Sequence, residues 1–311
     1  MILSASRRTD IPAFYMPWLI KRLHEGFVYV PHPFRSNHYR KLILHPDVID
    51  CIVFWTKNPL PMLPYLAELT NLGYPYYMQY TLTGYPQTIE EHLPNLDARV
   101  QAFQELSKVL GRKRIVWRYD PILFTDTIDV NYHMQQFSAL CQALAPYTDT
   151  CVISFLDWYP SISKTLSSFA KEIRDEELLC LAKHMSETAS SFGIKLETCA
   201  EQIDLSAYHI SHSSCIDQKR IEQLLHVPLT AKKDRNQRTE CGCAESIDIG
   251  TYHTCLHGCR YCYATSSNSR ARLNKQLHDP HAPVLIGSLP HDAIIHEVPM
   301  KSLKQSQLSL F

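Results

Sequence analysis

From residue 2 to about residue 200, short apolar runs rich in β-branched and aromatic residues alternate with longer stretches of helical periodicity. Ile2–Ser6, Phe27–Val30, Cys51–Thr56, Tyr77–Thr83, Arg114–Arg118, Cys151–Phe155 and Lys195–Thr198 read as strands. Pro59–Leu72, Ile89–Leu110, Val130–Leu144 and Asp175–Phe192 read as amphipathic helices, with Gly73, Gly111 and Gly193 where helix C-termini favour glycine. Strands alternating with helices are the mark of βα units. Six or seven such units favour a TIM-like (β/α) barrel, with an open doubly wound sheet as the alternative.

Past residue 215 the pattern changes. Asp217–Leu225 reads as a short helix and Lys232–Arg238 as a basic loop. Prolines at 280, 283, 290 and 299 and a polar 301–309 stretch predict an extension that covers the barrel and frays at its end. The division expected is therefore a barrel body over 1–215, a cysteine-rich segment over 216–283 that completes or caps it, and an extension over 284–311.

Each strand end carries polar residues. Arg7, Arg8 and Asp10 follow the first strand, Lys57 the third, Thr81, Thr83 and Gly84 close the fourth, Asp120 follows the fifth, and Glu197 and Cys199 lie at the last. Strand ends often hold turn formers, but in a barrel these would all face one mouth, the face that carries active sites. Two adjacent arginines there call for anionic partners.

Composition narrows the classes. Lys and Arg total 31 and Asp and Glu total 31, so no global field draws the chain to nucleic acid or an anionic membrane. No apolar run approaches the ~20 residues of a membrane helix, and the first residues do not form a signal peptide, so a cytoplasmic, reducing location is expected. Of eleven cysteines, Cys51, Cys141, Cys151 and Cys180 fall in apolar patterns and read as core. Five others, Cys241, Cys243, Cys255, Cys259 and Cys262, crowd into 241–262. In a reducing compartment such a cluster binds metal more often than it forms disulfides.

The run Cys255-Leu-His-Gly-Cys259-Arg-Tyr261-Cys262 spaces three thiols as CxxxCxxC. Such thiols can hold a 4Fe-4S cluster and leave one iron without a protein ligand. A structural zinc built from Cys241, Cys243 and two of the later cysteines, with His253 or His257 as alternatives, is the competing reading. Cys199, Cys215, Cys241 and Cys243 remain candidates for a fourth ligand or a second metal site.

The CxxxCxxC spacing with an aromatic before the last cysteine resembles the cluster loop of radical S-adenosylmethionine enzymes. The strings Ser4–Pro12, Phe54–Pro59, Gln79–Gly84, Trp117–Ile122 and Asp248–Ala264 resemble a bacterial family, domain of unknown function 1848, over nearly the whole chain from Ile2 to about Pro283. Gly258-Cys-Arg-Tyr-Cys-Tyr263 and Arg118-Tyr-Asp-Pro121 are more distantly similar to spore photoproduct lyase. In radical S-adenosylmethionine enzymes the cysteine loop follows the first strand, whereas here it lies at 255–262. A circular permutation, with Ser246–Thr254 in the place of the usual first strand, would reconcile the two; a lid appended to a completed barrel is the alternative.

The resemblance implies a 4Fe-4S cluster on Cys255, Cys259 and Cys262, S-adenosylmethionine as co-substrate, and an electron donor such as flavodoxin or ferredoxin. No Gly-Gly-Glu string is present, which leaves Thr81, Thr83, Gly84 and Tyr261 as candidates for holding the co-substrate. The expected activity is a radical S-adenosylmethionine-like enzyme acting on a small anionic substrate. Arg7, Arg8 and Lys57 would bind anions, and Asp10, Asp120 and Glu197 would orient substrate or move protons. The rivals are a non-catalytic metal-binding barrel and a nucleic-acid repair lyase; zero net charge argues against a nucleic-acid partner.

Overall fold

A computed structural model describes residues 1–33 and 35–305. Its main sheet holds eight parallel strands: β1 (Ile2–Ala5), β4 (Cys51–Thr56), β5 (Tyr76–Thr81), β6 (Ile115–Ile122), β7 (Thr150–Phe155), β8 (Lys195–Thr198), β9 (Ser211–His212) and β10 (Ile247–Asp248). The order is β10-β1-β4-β5-β6-β7-β8-β9, and the outer strands β9 and β10 are not paired with each other among the described residues. A second sheet joins β2 (Phe27–Pro31) antiparallel to β3 (His38–Ile43), with β11 (Ile294–Glu297) parallel on its other side. The Phe27 run is thus a hairpin strand outside the main sheet: β3 follows it closely, and local antiparallel pairing needs no crossover.

Strand alternation divides the side chains between two layers. Ile52 and Phe54, Met78 and Tyr80, Trp117 and Tyr119, and Ile153 point to the outer face. There they meet Trp18 and Leu19 of α2 (Met16–Glu25), Phe103 and Leu106 of α4 (Leu96–Leu110), Phe137 and Leu140 of α5 (Val130–Leu144), and Leu181 and Met185 of α7 (Asp175–Ser191). Val53, Tyr77, Val116 and Val152 point inward and meet Ile221 of α8 (Gln218–Leu225) together with Cys215, Cys241 and Cys243. The cysteine-rich segment therefore fills the inner face, and its own strand β10 joins the sheet at β1 through Leu3↔Ile247 and Ser4↔Asp248.

Helix starts follow their caps. Asp129 accepts from Tyr132 N at 2.8 Å and starts α5 where the periodicity places it. The run expected to be helical from Ile89 begins only at Leu96, because Asn95 accepts from Ala98 N at 2.8 Å as its cap and Pro94 stands just before it. Pro59–Leu72 divides into a 3₁₀ segment, Leu60–Tyr65, carrying Pro61 and Pro64, and α3 (Leu66–Asn71). The expected strand over 246–254 shortens to β10. Cys180, read as core, is exposed, since the buried stripe of α7 runs through Leu181, Ala182, Met185 and Ala189. Three short helices complete the chain: α1 (Ile11–Phe14), α6 (Ser163–Leu166) and α9 (Asn268–Gln276).

The extension is pinned: Ser302 Oγ and Leu303 N donate to Asp50 at 2.6 and 2.8 Å, and Lys304 bridges Leu229. Its expected fraying end, 306–311, lies outside the described residues. No described helix is long and apolar enough to cross a membrane.

His133 of α5 is fully buried, with Nδ1 2.9 Å from the Tyr119 hydroxyl and Nε2 2.8 Å from the Leu123 carbonyl. One neutral tautomer satisfies both contacts. Burial lowers its pKa from 6.5 to about 4. The unfolded chain thus takes up a proton that the folded one refuses, so His133 costs no stability above pH 6.5 and an increasing amount as pH falls toward 4. Urea titrations should show His133→Gln removing an acid-side loss of up to about 3 kcal/mol. An unchanged acid slope would contradict this.

Candidate active site at the C-terminal mouth of the sheet

A cavity of about 420 Å³ opens at the C-terminal ends of the parallel strands, within the size range of small-molecule sites. Arg7, Arg8, Asp10, Lys57, Thr81, Asp120, Cys199, Cys215, Cys241, Cys243, Cys255, Cys259, Tyr261 and Cys262 all line it. Three sequence candidates do not. Glu197 lies on β8 and pairs with Lys195 of the same strand. The Thr83 hydroxyl donates to Glu90 at 3.0 Å, and a Cβ at Gly84 would stand 2.4 Å from Gln136 Oε1. Thr83 and Gly84 therefore serve packing behind the wall.

The three-thiol loop is docked by two buried carboxylates. Asp10 caps α1 by accepting from Ala13 N at 2.9 Å, and also accepts from Thr56 Oγ1 (3.1 Å), Lys57 N (2.8 Å) and His257 Nε2 (2.8 Å). Glu90 accepts from Lys57 Nζ at 2.8 Å, Arg99 Nη1 at 3.1 Å, Thr83 and the Tyr261 hydroxyl. Burial alone would raise Glu90, but Lys57 and Arg99 outweigh it and hold the carboxyl below its usual range. The backbone of 89–92, freed from helix, meets the loop through Arg260 N to Ile89 O (3.0 Å) and His92 N to His257 O (2.9 Å). Gly258, at φ +69°, lets the loop pass Glu91, whose Cβ would lie 3.2 Å from an added Cβ.

These partners redefine several roles. Asp10 spends its oxygens on positioning, and Lys57 is an ion-pair partner of Glu90 with Tyr261 5.4 Å beneath its ammonium. Asp120 is bound by Arg118 and Ser154. Arg7 and Arg8 stack over Trp55 and Tyr252 at 5.3 and 5.2 Å, and neither makes an ion pair among the described residues. They are the cations left for an anion. The basic run closes the mouth, with Arg238 donating to both oxygens of Asp157 at 2.8 and 2.9 Å.

Asp248 ties β10 to β1, accepting from Ser4 Oγ (2.7 Å), Ser6 Oγ (2.6 Å), Arg7 N (2.9 Å) and Gly250 N (2.8 Å). A Cβ on Gly250 would stand 2.0 Å from Ser6 Oγ.

Cys255, Cys259 and Cys262 neighbour one another, and burial pushes all three thiols up. Cys243 neighbours Cys215 instead, and Cys241 neighbours Cys243. Among the described residues, no group of three or more His, Cys, Asp or Glu side chains is arranged to hold a metal ion. The fit of an iron-sulfur group rests on donor chemistry: three adjacent thiols without a fourth in their loop. Glu90 and Glu201 were missed as site residues because their partners are remote in sequence, and His257, weighed as a zinc ligand, is instead engaged by Asp10. Burial raises Glu201 to about 7, and its carboxylate accepts from Phe155 N at 2.9 Å.

A family described as a domain of unknown function, DUF1848, matches residues 2–264. No curated protein matches the sequence. Among solved structures, a Bacteroides thetaiotaomicron protein named as a proposed alpha-L-fucosidase aligns over 65% of this chain and 94% of its own, at 10% identity and a TM-score of 0.28.

Glu90→Ala should lower the unfolding free energy by about 3 to 5 kcal/mol, because Lys57 and Arg99 would remain buried and unpaired. Denaturant titration measures this, and a loss below 1 kcal/mol would refute the docking role.

Proposed function

Because the chain belongs to the DUF1848 family, whose description assigns no reaction, the activity has to be read from the site, and we propose an iron-sulfur enzyme of the radical S-adenosylmethionine type. The observation that carries this reading is the convergence of Cys255, Cys259 and Cys262 on one cavity at the strand C-termini, together with two arginines that lack ion pairs. Cys255, Cys259 and Cys262 would hold a 4Fe-4S cluster with one iron open. When bound, that group supplies the electron that cleaves the S-adenosylmethionine sulfonium.

The protein's own residues do the rest. Asp10 and Glu90 fix the loop through His257 and Tyr261. Arg8 and Arg7 present guanidinium groups to a carboxylate, whether that of the methionine moiety or of an anionic substrate. Thr81 and Tyr261 line the wall where the co-substrate would lie. Glu201, near its midpoint at neutral pH, is a reserve for proton movement behind Phe155.

Placement of β10 beside β1, with the cysteine loop directly after β10, supports a circularly permuted barrel in which β10 takes the place of the usual first strand. A zinc uniting Cys241 and Cys243 with the later loop is disfavoured, since Cys243 neighbours Cys215 and Cys241 neighbours Cys243. Arg238 is engaged by Asp157, which weakens the nucleic-acid reading. An electron donor of the flavodoxin or ferredoxin class is the implied partner.

Protein reconstituted anaerobically with iron and sulfide should form 5′-deoxyadenosine when given S-adenosylmethionine and dithionite. Chromatography detects the product; its absence from fully loaded protein would overturn the reading. Arg8→Gln should raise the S-adenosylmethionine concentration for half-maximal cleavage roughly tenfold, through loss of a charge-assisted contact.

A further inference from the structure

Four other cysteines meet on the inner face of the main sheet. Cys199 directly follows β8, Cys215 follows β9, and Cys241 and Cys243 precede β10. The Cys199 and Cys215 sulfurs are 3.1 Å apart, Cys215 lies beside Cys243, and Cys243 beside Cys241. The sheet positions this group: Tyr77 OH and Gln79 Nε2 donate to the Cys215 carbonyl at 2.5 and 2.9 Å, and Ile216 N donates to Cys243 Sγ at 3.4 Å.

Three buried thiols and a half-buried one could be ordinary small core residues. The charges around them speak against that. Arg118, buried, donates from Nη1 to Cys215 Sγ at 3.1 Å. Arg7 lies near Cys243, Cys215 and Cys241 as well as the carboxylate of Asp248, and its buried Nη2 has no hydrogen-bond partner. Asp120 pairs with Arg118 through Nε and Nη2, and Asp248 lies near Arg7, but Arg118 Nη1 on Cys215 and the unpartnered Nη2 of Arg7 are donors that anionic sulfur would satisfy better than neutral thiols.

We propose that Cys199, Cys215, Cys241 and Cys243 hold a second iron-sulfur cluster, closed by four thiolates, with Arg7 and Arg118 balancing its negative charge. An iron-sulfur core brings its own sulfides and spreads its ligands over several irons, so the thiols need not surround a single point. Closed coordination leaves no iron open to a substrate and suits the group to holding or relaying an electron. Both thiol sets line one cavity, so a molecule bound there lies between them.

The test compares iron and acid-labile sulfide in anaerobically reconstituted wild type, C255A/C259A/C262A and C199A/C215A/C241A/C243A. The expected iron contents are about eight, four and four per chain, with equal sulfide. The triple variant should also give a reduced paramagnetic signal that S-adenosylmethionine does not alter. Iron-free triple variant, zinc in place of iron, or a wild type with only about four irons overturns the proposal. The triple variant decides the matter even if the quadruple one does not fold. Adding Arg7→Gln to it should shift the midpoint potential negative, and an unmoved potential overturns the charge-balancing role. If the triple variant loads iron while the wild type forms no 5′-deoxyadenosine, the mouth reading falls and the second site stands; the opposite pattern separates them the other way.

Discussion

Two buried carboxylates hold the cysteine loop against the strand ends, and the site depends on them. Asp10 and Glu90 each accept from several donors, and each reaches far along the chain, Asp10 to His257 over 247 residues and Glu90 to Tyr261 over 171. Neither is free to act on a substrate. Their cost of burial is offset by complete hydrogen bonding, and removal of either acceptor would leave donors unpaired in a poorly solvated place.

The sheet sorts the chemistry by face. Outward side chains build a conventional helix-covered core, while the inward row changes from Val53, Tyr77, Val116 and Val152 at one level to Gln79, Arg118 and the cysteines at the next. That step from apolar to polar along the same strands places reactive sulfur above a dry floor. Residues 236 to 238 of the basic run line the cavity at the strand ends, with Arg238 held by Asp157 just beyond β7.

Much of the fold was legible because its signals are local. Val130–Leu144 and Cys51–Thr56 appear with the boundaries expected, the first through a strong helical stripe with Asp129 as cap, the second through a continuous apolar run from Cys51 to Trp55. The 89–95 segment was misread because its apolar spacing continues that of α4, while Pro94 and Asn95 carry the true start. Glu90 was invisible as a site residue for the same reason, since nothing nearby in sequence marks a carboxylate that pairs with Lys57 and Tyr261. The three-thiol spacing was plain, but the meeting of Cys241 and Cys243 with Cys215 depends on β5 and β6 donors that no spacing rule contains.

The long reach of the Asp10 and Glu90 contacts also fixes an order of events. Synthesis proceeds from the N-terminus, so the strand ends and both carboxylates emerge well before the loop that they receive. Until residue 262 has left the ribosome, Lys57 and Arg99 have only Glu90, and Asp10 lacks His257. Docking of the loop is therefore among the last folding steps. Any inorganic group delivered to these thiols meets a scaffold already formed, which makes its insertion a post-translational event on a nearly native protein.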